Sequence, residues 1–445
     1  MAGTSQTASR SLPRRLATFL ARYLEPKFIR FVTISVLLVG LINLIIACLT
    51  IEDGRNAFGS DAGADYSCFY VAGSLLNEYE ASELYIFELQ SELYHALLPG
   101  VPEMQEIPFV NPPFFALPFR ALSQLPFLTS YLVWIAISTF LYVSGFVLVR
   151  KSLDALPDKD FLISLLLALS FAPFLLESAF GGNSSAFGFI SVTLAVFFER
   201  RNRQMASGIA LALCFYKPTL LILMLPMLVV GRRFRTLAGT AIGGVALATV
   251  SILMVGWEAS VGYLQTLFNL SQMTSGTEDV FRTWKYVDIL SFSRLLLGAD
   301  NSLSLIIPAL ATLLLMPLLV RAWWTIDEGD EDRRDLVWAS TIAWTLVLNL
   351  HLGIYDSILV VVSMLLTAGV LYRRAADSSA ALDESFRWLL VLVYVTPLFS
   401  QHLARLIGFQ PFTLILAAAA AYPLFLLTRH TSSKRRAPAS RAAAI

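Results

Sequence analysis

Apolar residues along this chain neither alternate nor recur on a single helical face; they come in long runs separated by short polar joints. A helix needs about 20 consecutive apolar residues to cross a bilayer. Runs of that order lie near residues 28–51, 129–149, 161–179, 184–199, 236–256, 302–322, 335–350, 354–372, 387–400 and 409–428. The pattern predicts an all-α polytopic integral membrane protein.

The stretch 206–230 is also apolar but is broken in its middle by Lys217-Pro218. "RRNR" at 200–203 precedes it and "GRRFR" at 231–235 follows it. Basic joints collect on the cytoplasmic side of a membrane, so one crossing between two such clusters would strand one of them outside. Two short helices forming a hairpin satisfy both, with Lys217-Pro218 near the turn, because the residue before a proline is pushed out of helical geometry. Lys217 would then face a wet cavity rather than lipid, where an unpaired ammonium is costly.

With the hairpin counted as two, the remaining basic clusters fall on the same side: Arg14, Arg15, Arg22 and Lys27; Arg150, Lys151 and Lys159; Arg333 and Arg334; Arg373 and Arg374; Lys434 to Arg436. The expectation is roughly 10–12 transmembrane helices with both termini cytoplasmic. A basic arm occupies 1–27, the membrane domain 28–430 and a disordered basic tail 431–445. Residues 52–127 form the first outer loop and its re-entry into the membrane. Its 52–108 portion carries eleven acids against the single Arg55, and apolar positions between the acids at Leu75, Leu76, Leu84, Phe87, Leu89, Leu93 and Leu97 suggest interfacial helices.

Composition narrows the class. With 56% hydrophobic and 15% charged residues, a string of soluble domains is excluded. The net charge is +1 and the basic residues serve topology, so no nucleic-acid partner is expected. Cys48, Cys68 and Cys214 form no CxxC pair, which argues against a disulfide framework or a zinc site. "IIAC" at 45–48 resembles a lipobox, but the arm before it is too long and further spans follow, so the first run reads as a signal anchor.

Sorted by this topology, most polar residues that interrupt apolar surroundings fall outside. Asp65, flanked by Tyr66 and Tyr70, is a candidate general base, and equally a helix N-cap since helical sequence follows. Asn111-Pro112-Pro113 reads as a rigid re-entry that shapes a site rim, and Gly181-Gly182-Asn183 as a tight turn whose amides suit a phosphate. Lys217 is a candidate phosphate partner. His351 and Tyr355 would share a face if their segment were helical, with Asp356 beside them, and His402 and Arg405 form a second outer pair, Arg405 as an anion contact. The spaced His/carboxylate signature of a metal site is missing, so no metal or other cofactor is expected.

These blocks, in order, resemble glycosyltransferase family 87, integral membrane enzymes of the GT-C superfamily that include a mycobacterial mannosyltransferase acting on phosphatidylinositol mannosides. "ADYSCFYVAGSLLNEYEASELY" is similar to the family's Asp-aromatic-x-x-Tyr segment. "FVNPPFFALPFRALSQLP" is similar to its Tyr-Pro-Pro block, with Asn111 replacing the usual aromatic. "GGNSSAFGF" is similar to its Gly-Gln-Asn block, with Gly182 where Gln is common. "RRNRQMASGIALALCFYKPTLLILMLPMLVVGRRFR" and "NLHLGIYDSILVVVSML" resemble the Lys-Pro and late Tyr-Asp blocks.

The resemblance implies a GT-C-type transferase in the inner (plasma) membrane. It would move a hexose, often mannose, from a polyprenyl-phosphate donor to a lipid or glycan acceptor outside the cytoplasm, by an inverting, metal-independent displacement. Asp65 is implied as the base, with Asp61 a nearby competitor that lacks the aromatic-x-x-Tyr continuation. Tyr66, Tyr70, Asn111, Asn183, Lys217, His351, Tyr355, Asp356, His402 and Arg405 are the candidate substrate contacts. Competing readings are a transporter or flippase, which would also use a broken helix at Lys217-Pro218, and an oligosaccharide ligase or polymerase with a diphosphate-linked donor. Against the transporter stand the single break and the long acidic loop.

Overall fold

The computed structural model of the chain describes residues 25–102, 108–273, 283–299, 301–326, 329–376 and 383–436. Among these, six helices are long and apolar enough to cross a membrane: Pro26–Leu49, Phe127–Lys151, Phe234–Leu267, Leu303–Trp324, Ile354–Ala375 and Pro411–Thr428. Two bent pairs, Asp158–Leu169 with Pro173–Ala179 (47°) and Glu384–Val395 with Pro397–Ile407 (62°), raise the number to as many as eight. Helices Ser185–Arg200 and Glu331–Val347 occupy the shorter apolar runs at 184–199 and 335–350. The all-α membrane architecture expected from the apolar pattern is the one found.

Helix Glu331–Val347 lies at the centre. Every residue from Arg334 to Val347 is buried. Thr341 and Thr345 satisfy their hydroxyls on carbonyls four residues back (both 2.8 Å), Trp323 donates its indole N–H to Thr341 (2.8 Å), and Ser340 donates to the Ala420 carbonyl (3.0 Å). In so apolar an interior a buried hydroxyl is costly unless it finds an acceptor, and these do. Helix Pro26–Leu49 buries only Thr33 and Gly40 and turns Leu38, Leu41, Ile42 and Ile45 outward, as a lipid-facing helix does.

The Lys217-Pro218 stretch folds as two short apolar segments, Gln204–Tyr216 and Pro218–Val230, joined at Lys217, whose backbone is extended (φ −143°, ψ 81°) as the following proline requires. Both ends of this stretch lie at one level. Gly208 packs directly on the backbone of Thr236 and Thr240, Gly239 packs on the Met205 carbonyl, and Arg233 pairs with Glu199 at 3.6 Å. Close approach at Gly208 depends on its having no Cβ: one built there would meet the Thr236 carbonyl oxygen at 1.9 Å.

At the same end, Arg200 pairs with Asp335, Arg373 bridges Asp332 and Asp335 (both 2.7 Å), and Arg374 binds Asp332 at 2.9 Å. The basic joints at 200–203, 232–235, 333–334 and 373–374 therefore gather on one face. Arg14, Arg15 and Arg22 of the arm lie outside the described residues, as do Glu103 and Glu106 of the outer loop.

At the opposite end the outer loop is built into the fold. Helix Tyr66–Glu78 packs into the protein: Tyr66, Ser67, Cys68, Phe69, Val71, Ala72, Leu75 and Leu76 are all buried. Phe69 stacks on Phe119 of helix Pro113–Leu122 with ring centroids 4.8 Å apart, and Gly73 lets that helix approach its backbone. Helix Phe87–Leu97 is anchored through Gln90, which donates to the Leu84 carbonyl and accepts from the Phe109 amide (both 2.8 Å). At the other terminus the last helix is Pro411–Arg436, and 437–445 lie outside the described residues.

Candidate active site

Asp65 occupies the N-cap position of helix Tyr66–Glu78, yet its side chain makes no capping hydrogen bond. The carboxylate is turned instead toward the Gly181-Gly182-Asn183 turn. Asn183 donates its amide N–H to Asp65 Oδ2 at 2.6 Å, and the Asp65 backbone N–H donates to the Gly181 carbonyl at 3.0 Å. Gly182 takes a left-handed backbone (φ 68°) and lies against Tyr66, where an added Cβ would come within 2.5 Å of the Tyr66 Cβ. A glutamine at this position has no room in this packing, which is the physical counterpart of the departure noted in the sequence.

Asn183 is itself oriented. Its Oδ1 accepts from the Ser185 backbone N–H (3.1 Å) and sits 2.8 Å from the Ser185 hydroxyl, which fixes the amide N–H toward Asp65. The same hydroxyl lies 3.1 Å from Asp356 Oδ1, and its one proton serves one of the two acceptors at a time. Asp356 Oδ2 in turn pairs with Lys217 Nζ. Four segments that are far apart in sequence thus converge on one polar chain: Asp65, Asn183, Ser185, Asp356, Lys217. Asp356 is buried, whereas the Lys217 side chain retains 24% exposure, so the ammonium keeps donors available for a ligand.

Tyr355 contacts Lys217 directly, and Asn111 holds the residue before it. The ammonium lies 4.7 Å from the centre of the Tyr355 ring, a cation–π geometry. Asn111, carried by the Pro-Pro re-entry, donates to the carbonyl of Tyr216, the residue before Lys217, at 3.0 Å, and its own carbonyl accepts from Tyr85 at 2.7 Å. The re-entry therefore sets the backbone from which Lys217 projects.

The structure separates the other candidates from this chain. Tyr66 is fully buried, its hydroxyl bonded to Ser130 and its ring among Phe119, Phe127, Tyr131 and Trp134, and burial pushes its pKa up to about 12. Tyr70 donates to the Leu125 carbonyl at 2.9 Å. Both tyrosines brace the helix that presents Asp65. Asp61, the competing acid, pairs with Arg55 at 3.2 Å.

His351 and Tyr355 do not share a helical face. The short 3-10 helix starts only at Ile354, and His351 itself has a left-handed backbone (φ 54°). Its ring packs against Tyr286 (5.5 Å between centroids) and its Nε2 lies 3.3 Å from Arg294 Nη1. Beside it, Asp288 caps helix Ile289–Leu297 by accepting from Ser291 N and also accepts from Leu352 N (both 2.8 Å). Burial pushes the His351 pKa down, with Arg294 reinforcing and Asp288 opposing, and burial pushes Asp288 up against the donors that hold it. His402 and Arg405 are exposed on helix Pro397–Ile407, Arg405 lying 5.8 Å from the centre of the Trp284 ring.

Ser185 and Glu177 went unnoticed in the sequence. Ser185 is one of two serines after Asn183, and only the fold shows which faces Asp356. Glu177 interrupts an apolar run, which is a legible signal, but it lies on a π-helix, Pro173–Ala179, whose phase no helical template anticipates.

Asp65 offers a carboxylate with one oxygen oriented and the other, Oδ1, bound by no protein donor among the described residues; Lys217 offers a compensated cation at the far end of the chain. A base and an anion site so linked suit transfer of a group away from an anionic leaving group. A model of glycosyltransferase family 87 matches residues 109–350, a segment that contains Asn111, Asn183, Ser185 and Lys217 and stops short of Asp65 and Asp356. No curated protein and no solved structure matches the chain. More than half of the sequence is covered by that match, and the chain belongs to glycosyltransferase family 87, as a membrane glycosyltransferase.

Proposed function

We propose that the protein transfers a hexose, mannose in the first instance, from a polyprenyl-phosphate donor to a lipid or glycan acceptor at the non-cytoplasmic face of the inner (plasma) membrane. The observation that carries this reading is the Asn183–Asp65 contact at 2.6 Å, continued through Ser185 and Asp356 to Lys217. The acceptor hydroxyl gives its proton to Asp65 Oδ1 as its oxygen attacks the anomeric carbon. The bond from that carbon to the phosphate oxygen breaks with its electron pair, and prenyl phosphate leaves on the face opposite to attack. Attack from the opposite face inverts the anomeric centre.

Lys217 meets the charge that develops on the leaving phosphate. Its pairing with Asp356 keeps the ammonium aimed and leaves further N–H donors for phosphate oxygens. The basic clusters at the other end support a non-cytoplasmic setting for Asp65 and Lys217, by the positive-inside rule.

The test uses wild type and Asp65→Asn in lipid nanodiscs with polyprenyl-phosphate mannose and a membrane lipid extract, following prenyl phosphate. Release by wild type that falls by about 10²–10⁴-fold in the variant supports the proposal. Near-normal release by a folded Asp65→Asn protein overturns the base assignment, and no release with any monophosphate donor transfers the reading to a diphosphate-linked donor.

A further inference from the structure

Three elements meet on the Asp65 side of the site. The π-helix Pro173–Ala179 presents Glu177, a short 3-10 helix Thr283–Lys285 presents Trp284 and Lys285, and helix Pro397–Ile407 presents Gln401 and Arg405. Gln401 donates its amide N–H to Glu177 Oε1 at 3.1 Å. One turn further along the same helix, Arg405 lies 5.8 Å from the centre of the Trp284 ring, and Lys285 Nζ lies 5.6 Å from it. The Trp284 backbone is pinned through its carbonyl, which accepts from Gln410 at 3.0 Å.

The composition of this cluster is what a polyhydroxylated ring needs. An indole face packs on the C–H surface of a sugar, whereas a carboxylate and an amide take its hydroxyls. Glu177, Trp284, Lys285 and Gln401 are half-buried and Arg405 is exposed, so none of them is sealed inside the protein. None is needed for packing in the way Trp323 or Trp338 is, both of which are fully enclosed. Neither Lys285 nor Arg405 makes an ion pair within 4 Å among the described residues.

Position assigns the cluster to the acceptor. Glu177 lies on the segment that leads into the turn at Gly181-Gly182-Asn183, and Asn183 donates to Asp65 Oδ2 at 2.6 Å. Glu177 also sits four residues before Gly181, whose carbonyl holds the Asp65 amide. A ring held here would lie beside the base.

We infer that Glu177, Gln401 and Trp284, with Lys285 and Arg405 at the rim, form a carbohydrate subsite that holds a sugar or other cyclic polyol of the acceptor beside Asp65. This rests on the reading of Asp65 as the base; the binding itself does not depend on transfer. Glu177 is a positioning and specificity residue in this scheme, accepting hydroxyl protons through the carboxylate oxygen that Gln401 leaves open.

The experiment reads binding without a donor, so its failure is distinct from failure of the transfer reaction. The full-length protein in nanodiscs is titrated with methyl α-mannopyranoside, with cyclohexanol as the non-polyol control, by saturation-transfer NMR. Expected are saturable ring-proton signals for the mannoside alone, weakened about tenfold or more by Glu177→Gln, the order for one lost hydrogen bond to a charged group. Trp284→Ala should abolish them and Trp284→Phe retain most of them, a rescue that a purely structural role would not produce. Equal signals from mannoside and cyclohexanol, or unchanged mannoside binding in monodisperse Glu177→Gln and Trp284→Ala, would overturn the subsite and leave the proposed transfer standing. Normal mannoside binding in a protein that releases no prenyl phosphate would overturn the transfer and leave the subsite standing.

Discussion

Asn183 donates to Asp65 across 118 positions of sequence, and the side chain that looked like a helix cap is held by a turn between two membrane segments instead. An acid used only to cap a helix would face the amides two or three residues ahead. Asp65 faces away from them, which separates its contribution to activity from any contribution to helix stability. Asp65→Asn is therefore expected to unfold at a temperature within a few degrees of wild type, while Asp288→Ala, which removes the cap at Ser291 and the acceptor for Leu352, is expected to lose about 1–3 kcal/mol. Thermal unfolding in detergent compares the two.

Replacing Asn183 tests orientation apart from chemistry. Asn183→Ala removes the donor but leaves the base, and a loss of about 10²-fold in kcat is expected from misplacement. Asn183→Asp keeps the shape but sets an acceptor where the donor to Asp65 stood, and is expected to lose at least as much activity as Asn183→Ala. Steady-state kcat of the two monodisperse variants makes the comparison, and wild-type turnover in Asn183→Asp would remove this contact from the reaction.

Lys217 and Asp356 form a pair whose acid is buried, so removing one partner differs from removing both. Lys217→Met leaves the Asp356 carboxylate buried and uncompensated, a loss on the order of 3–5 kcal/mol. Lys217→Met combined with Asp356→Asn should recover most of that stability and none of the activity. A double variant that regained turnover would remove Lys217 from the reaction.

How much of this was legible in the sequence depends on the kind of information involved. The membrane segments and the hairpin at Lys217-Pro218 follow from apolar run length, proline geometry and the sign of short joints, all of them local. Asp65, Asn183, Lys217 and Asp356 were visible singly because each interrupts apolar or aromatic surroundings. Their linkage was not, because it depends on how the outer loop folds back on the turn at Gly182. Tyr66 and His351 show the converse: an aromatic next to an acid, and two residues four apart, invite a shared role, but burial claims the first and a left-handed backbone at His351 breaks the helical phase assumed for the second.

His351 gives a pH signature whose sign follows from its environment. Burial depresses its pKa in the folded state, so the unfolded chain takes up a proton near the ordinary value of about 6.5 before the folded protein does. In the interval between the depressed pKa and about 6.5, the unfolded state binds more protons, and stability therefore falls as pH is lowered through it. Above about pH 6.5 the imidazole is neutral in both states and the contribution is complete. Asp288, Arg294 and Tyr286 face the ring, and Asp288 titrates in the opposite sense, so the comparison is made against His351→Gln, which keeps these neighbours. Wild type is expected to lose melting temperature between pH 7 and pH 5 more steeply than His351→Gln; parallel curves would mean that His351 is solvated in both states.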